Sequence, residues 1–279
     1  MKEINLRIKS ITGTKQITKA MELVAISKLT KAMDRITRCR PFYTELYAQL
    51  CDIAASSTAG ESHFFAKREV KKTCLVVIAG DRGLAGGYNN NIFKYCDENF
   101  GGKDVCVLPI GKRSLDHFER RGYEIVSDDF ASVEDVDVGD TFEISRMLTD
   151  MYSSGDFDEL YCVYTNFASM LSQNPGSLKL LPLDESISSH KVESKRFLLI
   201  EPSPESVFDH IVPDGVAGLI WGAVCESYAS ELAARRVAME SATSNAEDII
   251  ADLQLKYNKA RKSAITQQIT EIVSGSQTE

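Results

Sequence analysis

The 279-residue chain has no CxxC pair, an odd number of cysteines (seven), and four histidines, His63, His117, His190 and His210, scattered along its length. Zinc sites use closely spaced ligand pairs and a disulfide framework uses an even count, so no metal centre and no disulfide scaffold is expected. No run of about 18 apolar residues occurs, which excludes an expected membrane-spanning helix. The opening MKEINLRIKS lacks the apolar block of a secretory signal and carries an early acid, unlike a transit peptide. Aromatic residues are missing from Met1 to Arg40, although residues 1–50 hold ten Lys/Arg against four Asp/Glu in a chain of net charge −8. A basic arm on an acidic body calls for an anionic partner. Nucleic acid is disfavoured as that partner, because single-strand binding needs aromatic platforms among the cations.

Proline stops at Pro213, and no glycine lies between Gly222 and Gly275. A stretch of about 50 residues without breakers reads as one helix roughly 75 Å long, more than a body of this size covers. Leu232, Met239, Ala246, Leu253 and Ala260 recur at seven-residue spacing, with Ile249, Ile250, Tyr257 and Ala264 beside them. Such a heptad seam argues for a coiled coil. Residues 1–58 contain a single proline, Pro41, and a single glycine, Gly13, and show an apolar stripe of Ile4, Ile8, Ile11, Ile17, Met21 and Val24. Two long helices at opposite ends of one chain pair most simply antiparallel. The expected organisation is an N-terminal coiled-coil helix in 1–58, an α/β domain in 70–200 and a C-terminal coiled-coil helix in 208–279.

The middle zone alternates β-branched runs with glycine-rich turns and helical stretches. Strands are expected at Thr73–Ala79, Val105–Ile110, Tyr123–Val126 and Glu159–Thr165, with further strands at Leu178–Leu183 and Arg196–Ile200. Helices are expected at Asn89–Phe100, Lys112–Arg121 and Asp140–Ser153. This alternation predicts a Rossmann-like, mostly parallel sheet covered by helices.

Chemistry is harder to find. Gly80-Asp81-Arg82-Gly83-Leu84-Ala85-Gly86-Gly87 stands between a strand and a helix, where a phosphate-cradling loop belongs, yet its spacing fits neither GxGxxG nor GxxxxGK[ST]. A tight structural turn is the preferred reading. Gly111-Lys112 with Ser114 lacks the upstream glycine. The acids Asp128, Asp129, Glu134, Asp135 and Asp137 read as solvated loops. With no nucleophile–base set, no catalytic residue, cofactor site or metal site is assigned.

Two terminal segments carry a resemblance. Gln16-Ile17-Thr18-Lys19-Ala20-Met21-Glu22-Leu23-Val24-Ala25-Ile26-Ser27-Lys28-Leu29 resembles the N-terminal signature of F-type ATP synthase gamma subunits. The segment Tyr257–Val273, with Ala260-Arg261-Lys262-Ser263-Ala264-Ile265-Thr266-Gln267-Gln268-Ile269-Thr270-Glu271 at its centre, resembles the C-terminal one. Ala233–Met239 and Asp81–Gly87 are similar to further family segments, in the family's order. Ala85 stands where many members have cysteine, and Lys262 and Gln268 replace the usual Gln and Glu.

The resemblance implies a long antiparallel coiled coil plus a Rossmann-like α/β domain, and a non-catalytic rotor subunit. It implies as partners the alpha and beta subunits of a catalytic hexamer, an epsilon subunit and a membrane ring of c subunits. It places the chain peripherally on the cytoplasmic side of a bacterial inner membrane. The residues it suggests for coupling contacts are Lys15, Lys19, Met21, Lys28, Lys31, Arg35, Arg235, Thr266, Gln267 and Gln268. A V-type stalk subunit, also two long helices, would lack the inserted α/β zone.

Overall fold

The computed structural model describes residues 1–54, 62–65, 68–170, 172–183 and 203–276. The elements run α1 (Lys2–Ala54), β1 (Lys72–Ile78), α2 (Tyr88–Phe100), β2 (Asp104–Ile110), α3 (Lys112–Arg120), β3 (Glu124–Ile125), α4 (Val138–Ser154), β4 (Glu159–Phe167), β5 (Gln173–Leu181) and α5 (Pro204–Ser276). Each strand and helix expected from the middle zone is present within a few residues, except the one at Arg196–Ile200, which lies outside the described residues. The chain divides into two compact units, one of residues 1–27 with 235–279 and one of residues 28–234.

The larger unit is built on a five-stranded sheet of order β3-β2-β1-β4-β5, parallel throughout except for the antiparallel β4–β5 edge. Side chains alternate between the two faces with the period of two that a strand imposes. One face presents Cys74, Val76, Ile78, Cys106, Leu108, Ile110 and Cys162 to α1, α4 and α5, through Leu29, Ile36, Ile144, Leu148, Val216 and Ile220. The other presents Leu75, Val77, Val105, Val107 and Val163 to Ile92, Phe93 and Cys96 of α2 and Phe118 of α3. Because both faces are covered, β1 and β2 read as near-continuous apolar runs rather than as alternating ones.

Local chemistry sets the ends of these elements. Asp137 and Asp140 form a reciprocal capping box at the start of α4, and Gly155 closes it in the left-handed conformation. Asp81, in the loop after β1, accepts hydrogen bonds from the Val133 and Glu134 amides at 2.9 and 3.3 Å. Asp137, expected to lie in a solvated loop, is therefore structural. Pro213 lies within α5, and its carbonyl accepts from Ser145 Oγ of α4 at 2.5 Å. One 18-residue window of α5 is apolar enough to pass for a membrane span by composition, but 61% of it is buried inside the protein, as in a core helix.

The smaller unit contains the first half of α1 and the second half of α5. The helices run antiparallel: Lys15 Nζ meets Glu247 at 2.8 Å, and the Thr18 and Thr243 hydroxyls share a hydrogen bond of 2.8 Å. As residue numbers rise along one helix, those of its partner fall. The seven-residue series on α5 is the buried one, with Met239, Ala246 and Leu253 at 4%, 5% and 8% exposure.

The stripe on α1 departs from expectation. Ile17 is 62% exposed and Val24 56%, whereas Ala25 is 2% exposed and Glu22 7%. The seam follows Ile4, Ile8, Ile11, Lys15, Thr18, Glu22 and Ala25, alternating steps of four and three. The apolar stripe leaves this seam after Ile11, because the next seam positions, Lys15 and Thr18, are polar.

Candidate coupling surface

Those polar seam positions define the first candidate site. A threonine pair and the buried Glu22 replace apolar knobs, and beside them Lys15 bonds Glu247, whose side chain is 56% exposed. Lys19 Nζ holds both Glu22 carboxylate oxygens at 2.9 and 3.0 Å. Lys15 in turn holds the Glu247 carboxyl below its ordinary range. Polar pairs in a helix seam add little stability but penalise slipped registers, in which each would face an apolar layer. The two helices are thereby fixed axially.

Of the ten sequence-derived contact residues, Lys15, Lys19, Met21, Arg235, Thr266, Gln267 and Gln268 lie in this smaller unit. Met21 and Arg235 are half-buried. Thr266, Gln267 and Gln268 are exposed; Thr266 Oγ1 donates to the Lys262 carbonyl at 3.0 Å, and Gln267 bonds Glu271 at 3.0 Å. Ile265, Ile269 and Ile272 near them are 47%, 57% and 71% exposed. The end of α5 thus exposes an apolar stripe beside the uncharged Thr266, Gln267 and Gln268, with Glu271 as the acid among them. The helix continues through Gly275 and Ser276, and residues 277–279 lie outside the described residues.

Lys28, Lys31 and Arg35 lie in the larger unit on successive turns of α1. Lys28 Nζ pairs with Glu134 at 2.5 Å. The Arg35 guanidinium stacks 4.2 Å above the Trp221 ring and donates to the Val136 carbonyl at 3.1 Å. Lys31 is exposed beside them and lines the same shallow recess. The expected cationic track is therefore partly internal. Lys15, Lys19, Lys28 and Arg35 each engage a group of this chain as well as facing outward.

The second candidate is the crevice at the C-terminal ends of β1 and β4, where a doubly wound sheet ordinarily binds its ligand. Here α5 fills it. Tyr88 Oη donates to the Ser227 carbonyl at 3.0 Å, Ser227 Oγ accepts from the Thr165 amide at 3.2 Å, and Ser230 Oγ donates to the Thr165 carbonyl at 3.2 Å. A Cβ at Gly80 would lie 2.7 Å from the Glu231 carboxylate. The Glu231 side chain, on a residue 3% exposed, packs directly on the loop backbone at Gly80. The glycine at position 80 admits α5 rather than a phosphate, so the inner side of this loop is a structural turn.

Among the described residues, no group of His, Cys, Asp and Glu has metal-binding geometry. Burial pushes the thiols of Cys96, Cys162 and Cys225 up to about 12, which leaves them poor nucleophiles at neutral pH.

Comparison with known proteins matches residues 1–278 to the family model described as ATP synthase. The ATP synthase gamma chain of Alkaliphilus metalliredigens is 41% identical over 282 residues, covering 99% of this chain and 98% of that one. The sodium-ion-specific gamma chain of Acetobacterium woodii is 39% identical, at 99% and 98% coverage. A chain of the Euglena gracilis mitochondrial ATP synthase, solved as an OSCP/F1/c-ring assembly, superposes with a TM-score of 0.69 at 20% identity, covering 99% of this chain and 93% of that one. A chain from the central stalk and c-ring of the Tetrahymena thermophila enzyme gives a TM-score of 0.61 at 21% identity, covering 81% of this chain and 99% of that one.

Proposed function

The chain belongs to the ATP synthase gamma-chain family, and on that premise we propose that it is the central rotor shaft coupling ion flow through a c-ring to ATP synthesis or hydrolysis in an alpha/beta hexamer. The observation that carries the reading is the two-helix unit with its polar register lock. A charge crossing the membrane supplies only about 2.3 kcal/mol per 100 mV, so several steps are pooled for each ATP. The element that pools them has to transmit torque without unwinding or sliding. An apolar seam resists unwinding, because opening it exposes Met239, Ala246 and Leu253 to water. The Thr18–Thr243 and Lys15–Glu247 pairs resist sliding.

The subunit itself is non-catalytic in this reading, since the sheet crevice that would hold a nucleotide is filled by its own helix. Its partners are the alpha, beta and epsilon subunits and the c-ring, and it sits peripherally on the cytoplasmic side of the membrane. Lys15, Lys19, Met21, Lys28, Lys31, Arg35 and Arg235 are the proposed contacts with catalytic-subunit levers. Thr266, Gln267 and Gln268 flank the exposed isoleucines as a low-friction end. Uncharged side chains suit that end, because fully desolvated ion pairs would trap one rotational angle.

Affinity purification of the tagged full-length chain from membranes tests this reading. Stoichiometric recovery of alpha and beta subunits is the expected result. A chain that comes off alone, or with an unrelated complex, removes the proposal.

A further inference from the structure

The outer side of the Gly83–Gly86 loop faces a cavity of about 510 Å³ that the rotor reading does not use. Its opposite wall is one face of α3 and the residue after it. Arg113, Asp116, His117 and Arg120 stand at helical spacing on that face, with Arg121 following, and all five line the cavity. Three guanidinium groups meet here in a chain whose net charge is −8. Arg121 is neutralised by both oxygens of Asp97, at 2.6 and 2.8 Å. Arg113 and Arg120 are exposed and have Asp116 as the acid on the shared wall. Two guanidinium groups therefore share one carboxylate on this wall, which leaves it a net positive charge toward the cavity.

The rest of the wall suits an oxyanion. Arg113 Nη2 lies against Gly83, 3.5 Å from where a Cβ would stand, so its planar fork is carried on the loop backbone. Leu84 and Gly86 both take positive φ, 64° and 59°, which turns the loop's peptide units out of a regular strand or helix path. His117 stacks flat on Phe93, with centroids 3.8 Å apart and an 8° tilt, and its buried Nε2 lacks a hydrogen-bond partner. Burial, then the neighbouring Arg121, lowers the His117 pKa, so the ring adds no charge to the wall at neutral pH.

We propose that this cavity binds a phosphate-bearing anion between the guanidinium groups of Arg113 and Arg120, with the Gly83–Gly86 loop as its floor. Arginine forks match phosphate oxygens bidentately. An open cavity of this size takes a di- or triphosphate group or a phospholipid headgroup, and both present the same chemistry. The site is separate from the sheet crevice that Glu231 fills.

Two arms of one experiment separate the sources. The full-length chain is titrated calorimetrically with inorganic tripolyphosphate, and floated with vesicles of phosphatidylglycerol or of phosphatidylcholine. The variants are Arg113→Ser/Arg120→Ser and a charge-matched control, Lys94→Ser/Lys103→Ser, on exposed lysines elsewhere. Charge-assisted hydrogen bonds predict about a tenfold loss per arginine, roughly 100-fold for both. Saturable tripolyphosphate binding that falls in the arginine variant and survives in the lysine control supports a soluble ligand. Flotation with phosphatidylglycerol alone, lost in the arginine variant only, supports a headgroup. Equal weakening in both variants, or binding in neither arm, overturns the proposal.

Discussion

Truncating Met239 tests whether the helix seam runs where its burial says. Met239 is 4% exposed within a two-helix unit whose outward neighbours are solvated. Removing a buried methionine down to alanine costs about 2–5 kcal/mol in a globular core, through lost transfer energy and a residual cavity. In a two-helix seam the cavity opens to water and the helices close partly over it. The transfer part then dominates, and the expected loss is about 2 kcal/mol. The readout is native-state amide hydrogen exchange across residues 236–260, which reports local opening without requiring the whole chain to unfold. A 2 kcal/mol loss speeds that exchange roughly 30-fold, since 1.4 kcal/mol is tenfold. Ile17→Ala and Val24→Ala serve as the contrast, because their side chains are 62% and 56% exposed despite being equally apolar. Those two should change exchange less than about twofold, within the ±0.5 kcal/mol of ordinary surface substitutions. If Ile17→Ala matches Met239→Ala, or if Met239→Ala leaves exchange untouched, the seam has been misplaced and the register argument goes with it.

Opposite signs are expected at two glycines. Gly13→Ala fills open space on a helix and should stabilise by about 1 kcal/mol in denaturant melts. Gly111→Ala should cost more than about 3 kcal/mol or prevent folding, because φ is +95° and the new Cβ would lie 2.0 Å from the Ala79 carbonyl oxygen. Arg35→Ala loses both the stack on Trp221 and the bond to Val136, for about 2 kcal/mol in urea melts. Arg35→Lys should recover less than half of that, lacking the planar fork. Asp158 accepts from the Lys71 and Lys72 amides at 2.8 and 3.1 Å, and those bonds hold its pKa below the ordinary value. A depressed carboxylate contributes stability that is complete above its unfolded pKa, near 3.9, and is lost as pH falls through the lower folded value. Asp158→Asn should therefore flatten the acid limb of stability below about pH 4, while an acid limb identical to that of the parent chain counts against the assignment.

Much of this architecture is written in one dimension. The absence of proline after Pro213 and of glycine between Gly222 and Gly275 permits a single helix, and the heptad of Met239, Ala246 and Leu253 marks its buried side. The strands of the sheet were legible because burial on both faces leaves them continuously apolar. The terminal signatures by themselves point to the family.

The three-dimensional arrangement decided the rest. Lys15, Thr18 and Glu22 belong to the seam although none is apolar, because their partners Glu247, Thr243 and Lys19 satisfy them there. No periodicity analysis counts a lysine or a glutamate as core, since burial of a polar group depends on what it meets and not on what it is. The glycine-rich loop posed the same problem. Its sequence context suits a phosphate, and its inner side was settled by Ser227, Ser230 and Glu231 arriving from about 150 residues further along the chain. Local sequence fixes which conformations a segment can adopt. Which groups then share a buried space is set by the fold bringing distant segments together, and there the chemistry of this chain was decided.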